Sequence, residues 1–202
     1  MTPIQEDYED VRHRIRAGDV IAFGGRGIIP WIIKRWTNYP CSHVGIVTRC
    51  QVQGVAGESV RVMESTRLNG YTGVVETRLS KRVRQYDGEV WLLQLANHIR
   101  RGLDLKKFWK FIYAAEGRPY DLWQAIRSPG SIDCSEDGRK YFCSELVAAG
   151  LEAGGVIDNI NSAAVTPEDV CKFRLYAPIV IQIKGASCDL PLHNTLDPDD
   201  FG

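Results

Sequence analysis

A cysteine and a histidine carry the clearest chemical signal in the chain. Cys143 lies near the start of a predicted helix over residues 141–147, and His43 begins a strand-like segment at 43–47, about 100 residues earlier. A thiol at a helix N-terminus faces the positive end of the helix dipole, and an imidazole on a facing strand can hold it as a thiolate. The pair therefore predicts a cysteine nucleophile, with His43 as its general base or as the imidazolium of an ion pair.

A third polar group must orient the imidazole, and Glu64 is the candidate. It follows a strand-like segment at 60–63, which comes directly after the His43 strand. Side chains on adjacent antiparallel strands lie about 5 Å apart, within reach of a bond from a carboxylate to a ring N–H. A slip of one residue in register would turn Glu64 to the other face, so Glu76 stays open as the alternative.

Secondary-structure signals place these residues in a mixed set of strands and helices. Strands are expected at 19–23, 43–49, 60–65, 73–78, 89–95 and 176–184, paired as an antiparallel meander. Helices are expected at 28–36 and 104–116, from Cys143 onward, and after the cap-like pair Thr166 and Pro167. The backbone N–H of Cys143, at its helix start, is the natural first donor to an oxyanion.

The predicted helix at 28–36 bears on the substrate. It is apolar nearly all round and carries Trp31 and Trp36. Such side chains can line a groove for a long acyl chain, or the helix can pack on the sheet as part of the core. Both interpretations stay open.

Length and composition indicate one globular domain. The chain has 202 residues, of which 44% are apolar and 25% charged. We expect this domain to cover residues 1–184, followed by a flexible acidic tail at 185–202. The 25 basic and 25 acidic side chains cancel, so nucleic acid is not an expected partner.

Local basic clusters stand at 81–84, 100–101 and 106–110. Solvated faces are the favoured interpretation, and peripheral contact with anionic headgroups or a cell-wall polymer is the alternative. The first ten residues are acidic, with no apolar signal region, and no segment approaches the length of a membrane span. These features predict a cytoplasmic protein.

The six cysteines show no regular spacing and are expected to be mostly reduced. Cys134 stands close to Cys143 in sequence, which leaves a regulatory disulfide open. A zinc site of Cys41, His43, Cys134 and Cys143 is the rival interpretation of the same atoms, but its spacing is unlike the paired ligands of structural zinc. We therefore expect no metal and no cofactor.

Four segments together resemble a known family, in their order as well as their residues. They cover 16–21, 42–47, 62–65, and 117–121 followed by 142–147. They are similar to the circularly permuted branch of the NlpC-type papain-like hydrolases, the YiiX-like family. Papain-like folds ordinarily place the cysteine helix before the histidine strand, and the order here is inverted. The resemblance implies a permuted α+β papain-like fold, with an antiparallel sheet or half-barrel packed against helices.

The resemblance also implies a function. It supports Cys143, His43 and Glu64 as a catalytic triad, and Tyr120 as a residue lining the site or a half-buried structural tyrosine. The expected activity is that of a thiol-dependent hydrolase or acyltransferase on a peptide, lipopeptide or fatty-acyl amide or ester, through a covalent acyl-enzyme. Tyr120, Trp31 and Trp36 are the expected substrate contacts. The alternative is a non-catalytic lipid- or peptide-binding module on the same fold.

Overall fold

The structure is a computed structural model that describes residues 3–25, 38–49, 59–68, 71–118 and 142–202. Its strands are β1 (Ile4–Gln5), β2 (Val20–Gly25), β3 (His43–Arg49), β4 (Arg61–Leu68), β5 (Tyr71–Arg78), β6 (Gly88–Leu93) and β7 (Ile181–Lys184). Its α-helices are α1 (Tyr8–Val11), α2 (Leu79–Gln85), α3 (Asn97–Arg100), α4 (Leu105–Ala115), α5 (Phe142–Ala153) and α6 (Pro167–Lys172). Short 3₁₀ turns cover Arg12–Arg14, Ser162–Ala164 and Pro198–Phe201.

The described strands form one mixed sheet in the order β1-β7-β6-β2-β3-β4-β5. The β1–β7 pair is parallel and the other pairs are antiparallel. The α+β class is thus confirmed, but the expected simple meander is wrong after β5. Helix α2, between β5 and β6, was not predicted from the sequence. It carries the chain across the sheet, so that β6 pairs with β2 instead of β5.

Helices cover both faces of the sheet and divide the core in two. On one face, α4 and α5 pack against alternate residues of β2 and β3, such as Ala22 and Val44. On the other face, Leu79 and Val83 of α2 join a second cluster that includes Phe23. Because successive side chains of a strand point to opposite faces, the four central strands, β6, β2, β3 and β4, contribute to both clusters.

Local signals in the sequence set the helix starts. Asp104 accepts hydrogen bonds from the backbone N–H groups of Lys106 and Lys107 at the start of α4. At α6, Thr166 Oγ1 accepts from the Asp169 N–H, and the Asp169 carboxylate accepts from the Thr166 N–H. These bonds satisfy donors that a helix cannot pair internally, which is why both starts were predictable.

The segment 185–202 is packed against the domain, so the prediction of a flexible tail is wrong. Trp91 Nε1 donates to the carbonyl oxygen of Cys188 at 2.9 Å, and the Cys188 N–H donates to Gln182 at 3.0 Å. Leu190 is buried in the core, and the Phe201 ring packs edge-on against a core aromatic ring. The acidic composition of this segment concealed the few apolar residues that anchor it.

Within the described parts of the chain, no helix combines the length and the apolar character that crossing a membrane requires.

Candidate active site

His43 is placed by the pairing of β2 and β3. It begins β3, opposite Phe23 of β2, and the two rings lie 5.5 Å apart between centroids. Its side chain is 17% exposed, so one side of the imidazole reaches solvent while the rest is packed. The ring is held on a strand instead of a loop, which limits its freedom to reorient.

Glu64 lies beside His43 with its carboxylate in direct contact with the ring. His43 Nε2 and Glu64 Oε2 are 2.9 Å apart, and the Glu64 side chain is fully buried. Since Nε2 faces a carboxylate, it carries the proton, and the other ring nitrogen, Nδ1, is left for a further partner. The alternative, Glu76, is engaged elsewhere: it accepts from the hydroxyl groups of Thr48 and Tyr113 at 2.7 and 3.2 Å.

Gly45 makes room for this contact. A Cβ at position 45 would lie 2.8 Å from Cγ of Glu64 and 2.8 Å from a methyl group of Val62. His43 and Gly45 share one face of β3, because side chains alternate along a strand. The missing side chain at position 45 therefore leaves the space through which Glu64 approaches the imidazole.

Arg82 holds the far side of the same carboxylate. Its Nε lies 2.9 Å from Oε1 and 3.0 Å from Oε2 of Glu64, and Thr77 Oγ1 lies 3.4 Å from Oε1. Burial raises the pKa of Glu64, but His43 and Arg82 more than offset it, so the pKa lies below its ordinary value. Glu64 is therefore a buried carboxylate that stays ionised.

Cys143 lies in the first turn of α5, where the residue is only 6% exposed. It is close enough to His43 to act on the charge of the imidazole. Burial alone would lower the pKa of His43, but Cys143 and then Glu64 raise it to about 10. The structure thus brings Cys143, His43 and Glu64 together, with an imidazole that holds its proton across neutral pH.

The remaining described cysteines have other surroundings. Cys41, Cys143, Cys171 and Cys188 are reduced cysteines. Cys41 is buried and its thiol donates to the His43 carbonyl oxygen at 3.2 Å, while Cys171 is buried in the core, and burial raises the pKa of Cys171 well above its ordinary value. Neither of these two lies in the first turn of a helix facing an imidazole, so Cys143 alone of the four has the setting of a nucleophile.

The zinc interpretation finds no geometric support in the described residues, where no group of three or more His, Cys, Asp or Glu side chains is arranged to hold a metal ion. Its proposed ligand Cys134 lies outside the described residues. So do the expected substrate contacts Tyr120, Trp31 and Trp36, which stay predictions.

Sequence reasoning missed two contributors, Arg82 and Gly45. Arg82 belongs to the basic cluster at 81–84, which was interpreted as a solvated face, but its side chain is only 11% exposed. Leu79 and Val83 are four residues apart, as on one face of a helix, and this spacing predicts a short amphipathic helix across the basic cluster. Gly45 lies two residues after His43 inside a strand, and a glycine inside a strand often marks a place where another group approaches the backbone closely.

Fold and site together define an α+β protein with a histidine bonded to a buried glutamate, and a cysteine close by, beside a mixed sheet. No family model and no curated protein matches the chain. A solved structure to which it is similar is that of the metalloprotein YiiX from Escherichia coli O157:H7, described as DUF1105. The identity is 20% and the TM-score 0.45, with 69% of this chain and 66% of that chain covered. The chain thus spans about two thirds of that neighbour's length, and a likeness at this level says nothing about activity.

Proposed function

We propose that this chain is a thiol-dependent hydrolase or acyltransferase that cleaves an amide or ester through Cys143, His43 and Glu64. The observation that carries the proposal is the shared imidazole. Its Nε2 is tied to a buried carboxylate at 2.9 Å, which leaves Nδ1 for the Cys143 thiol in the first turn of α5. A nucleophile, a base and a group that orients the base are the parts that acyl transfer needs.

The reaction begins from a thiolate paired with an imidazolium. The Cys143 sulfur attacks the acyl carbon, and the carbonyl electron pair moves onto oxygen to give a tetrahedral oxyanion. The Cys143 N–H, unpaired within its own helix turn, is placed to donate to that oxyanion. His43 then gives its proton to the departing amine or alcohol as the bond to carbon breaks, which leaves an acyl-thioester on Cys143.

The second half-reaction returns the enzyme to its starting state. Neutral His43 takes a proton from water, or from an acceptor amine or alcohol, as that oxygen or nitrogen attacks the thioester carbon. The thiolate leaves, and the imidazolium and thiolate pair is restored. Throughout, Glu64 fixes the ring and stabilises the imidazolium without taking its proton.

The proposed substrates are peptides, lipopeptides or acyl lipids. This class follows from the resemblance to the permuted papain-like branch, whose order of histidine strand and cysteine helix this chain shares. Tyr120, Trp31 and Trp36 are the proposed contacts for such an acyl chain. No metal or cofactor enters the proposed steps.

The test is the pH dependence of iodoacetamide labelling at each cysteine, read by peptide mass spectrometry. Cys188 is the internal reference, because it is more exposed than Cys143. We expect Cys143 to label faster than Cys188 near pH 6 despite its burial, and to lose this advantage in His43→Ala. His98→Ala, an exposed histidine on α3, is the matched control and should change nothing.

Turnover is tested with a panel of acyl esters and amides of increasing chain length. Cys143→Ala should abolish release of the leaving group, and Cys188→Ser should leave it intact. If Cys143 labels no faster than Cys188 at pH 6, the proposed enzyme is wrong and the non-catalytic binding module becomes the better account.

A further inference from the structure

Arg82 is packed against two aromatic rings, unlike an arginine on an open surface. Its guanidinium carbon lies 4.9 Å from the centre of the Phe23 ring and 4.8 Å from that of Tyr86. Cation–π contacts of this kind gain strength when water is excluded, and the side chain is 11% exposed. The Phe23 ring also packs on His43, so one aromatic ring contacts both cations that flank Glu64.

Arg82 supplies buried Glu64 with a permanent positive counter-charge. Glu64 is fully buried, and an unpaired buried carboxylate strongly favours its neutral form. His43 can supply a counter-charge only while it is protonated, and in the proposed reaction it must give its proton away. Arginine keeps its charge at every working pH, so it can hold Glu64 ionised when the imidazole is neutral.

We propose that Arg82 is a positioning residue that extends the triad to a Cys-His-Glu-Arg tetrad by keeping Glu64 ionised and aligned through the whole cycle. This inference rests on the proposed function. Arg82 touches neither the Cys143 thiol nor the acyl carbon in the proposed reaction. It acts through Glu64, and it also opposes the positive charge on His43 from close range.

The sign of its effect on His43 follows from the geometry. Arg82 Nε and His43 Nε2 both bond Glu64 Oε2, at 3.0 and 2.9 Å, so the two nitrogens are no more than about 6 Å apart. Two like charges at that distance repel, and the repulsion favours loss of the imidazolium proton. Removal of the Arg82 charge should therefore raise the pH at which His43 titrates, by about one unit in a partly hydrated site.

The test is an NMR titration of the His43 ring in a Cys143→Ala background, with Arg82→Gln, Arg82→Lys and Arg84→Gln added singly. The Cys143→Ala change removes the thiolate and brings the His43 midpoint into an accessible range. The chain has four histidines, so the His43 signal is assigned by its loss in His43→Ala. Arg84 is exposed on the same helix and serves as the matched loss of one positive charge.

We expect Arg82→Gln to raise the His43 midpoint by about one unit, and Arg82→Lys and Arg84→Gln to leave it within about 0.3 units. A purely structural role predicts instead that both Arg82 variants lower the melting temperature while the midpoint does not move. That result would overturn the inference. If Arg82→Gln does not fold, the test rests on Arg82→Lys. A His43 midpoint in Arg82→Lys that differs by a full unit from that of the Cys143→Ala parent overturns the inference as well.

A second readout separates this inference from the function on which it rests. Release of the leaving group at pH 7, from an acyl ester that the wild type cleaves, should fall several-fold in Arg82→Gln, because a more tightly held imidazolium proton is given up less readily, and should be restored in large part by Arg82→Lys. If the wild-type thiol has no reactivity that depends on His43, the proposed function fails and the tetrad fails with it. If the wild type is reactive and Arg82→Gln cleaves the ester equally fast with an unmoved midpoint, only the tetrad is wrong.

Discussion

Replacement of Gly45 by alanine tests the packing on which the site depends. The added Cβ would lie 2.8 Å from Cγ of Glu64, 2.8 Å from a methyl of Val62 and 3.1 Å from the carbonyl oxygen of Met63. Ordinary contacts of this kind are about 3.4 to 4 Å, so two side chains and a backbone group must each give way. Overpacking of a tight core costs about 1–3 kcal/mol, which lowers the melting temperature of a chain this size by about 2–12 °C.

The chemical consequence differs from the loss of stability. Val62 is stiff and the backbone is held by the sheet, so Glu64 is the group that moves, and it moves away from His43. The pKa of His43 should then fall, because Glu64 is one of the groups that raise it to about 10. Thermal unfolding followed by circular dichroism measures the first effect, and Cys143 labelling near pH 6 measures the second.

The matched control is Gly102→Ala. The nearest atom to a Cβ at position 102 is the Ile99 carbonyl oxygen at 3.4 Å, an ordinary contact, so this variant should melt and label like the wild type. If Gly45→Ala also melts within about 1 °C of the wild type and labels Cys143 at the same rate, the account of Gly45 as the opening for Glu64 is refuted.

Three further changes have expected outcomes. Glu64→Gln removes the carboxylate that helps to raise the pKa of His43, so the NMR midpoint of the ring should fall, opposite in sign to the Arg82→Gln shift; a rise would contradict the electrostatic account. Trp91→Phe removes the hydrogen bond that a fully buried ring donates to the Cys188 carbonyl oxygen. It should lower the free energy of unfolding, measured in urea, by about 1–3 kcal/mol and speed amide hydrogen exchange at 186–192. Unchanged exchange would show that this bond does not anchor the segment. Thr166→Ala breaks the capping box of α6 and should cost about 1 kcal/mol, measured by urea unfolding against Thr72→Ala, the same change at an exposed position of β5; equal stability of the two would remove the cap from the account.

Part of the site was predictable because its signals are local. The helix start at Cys143 and the strand start at His43 were recognisable from their immediate neighbours in the sequence, and the resemblance to the permuted family supported their pairing as nucleophile and base. Glu64 was preferred over Glu76 on strand order and on the same resemblance, and the structure places Glu64 beside the imidazole because the β3–β4 register pairs Ile46 with Met63. A shift of one residue in that register would have reversed the choice.

Elements whose causes lie within one helical turn or one strand follow from the order of the residues. Capping side chains mark the starts of α4 and α6, and apolar runs mark β2 and β3, because such interactions join residues a few positions apart. Three other features depend on the folded chain as a whole: the pairing of β6 with β2, the docking of 185–202, and the approach of Arg82 to Glu64. These contacts join residues far apart in the chain, and their geometry follows from how the whole core packs instead of from any local pattern.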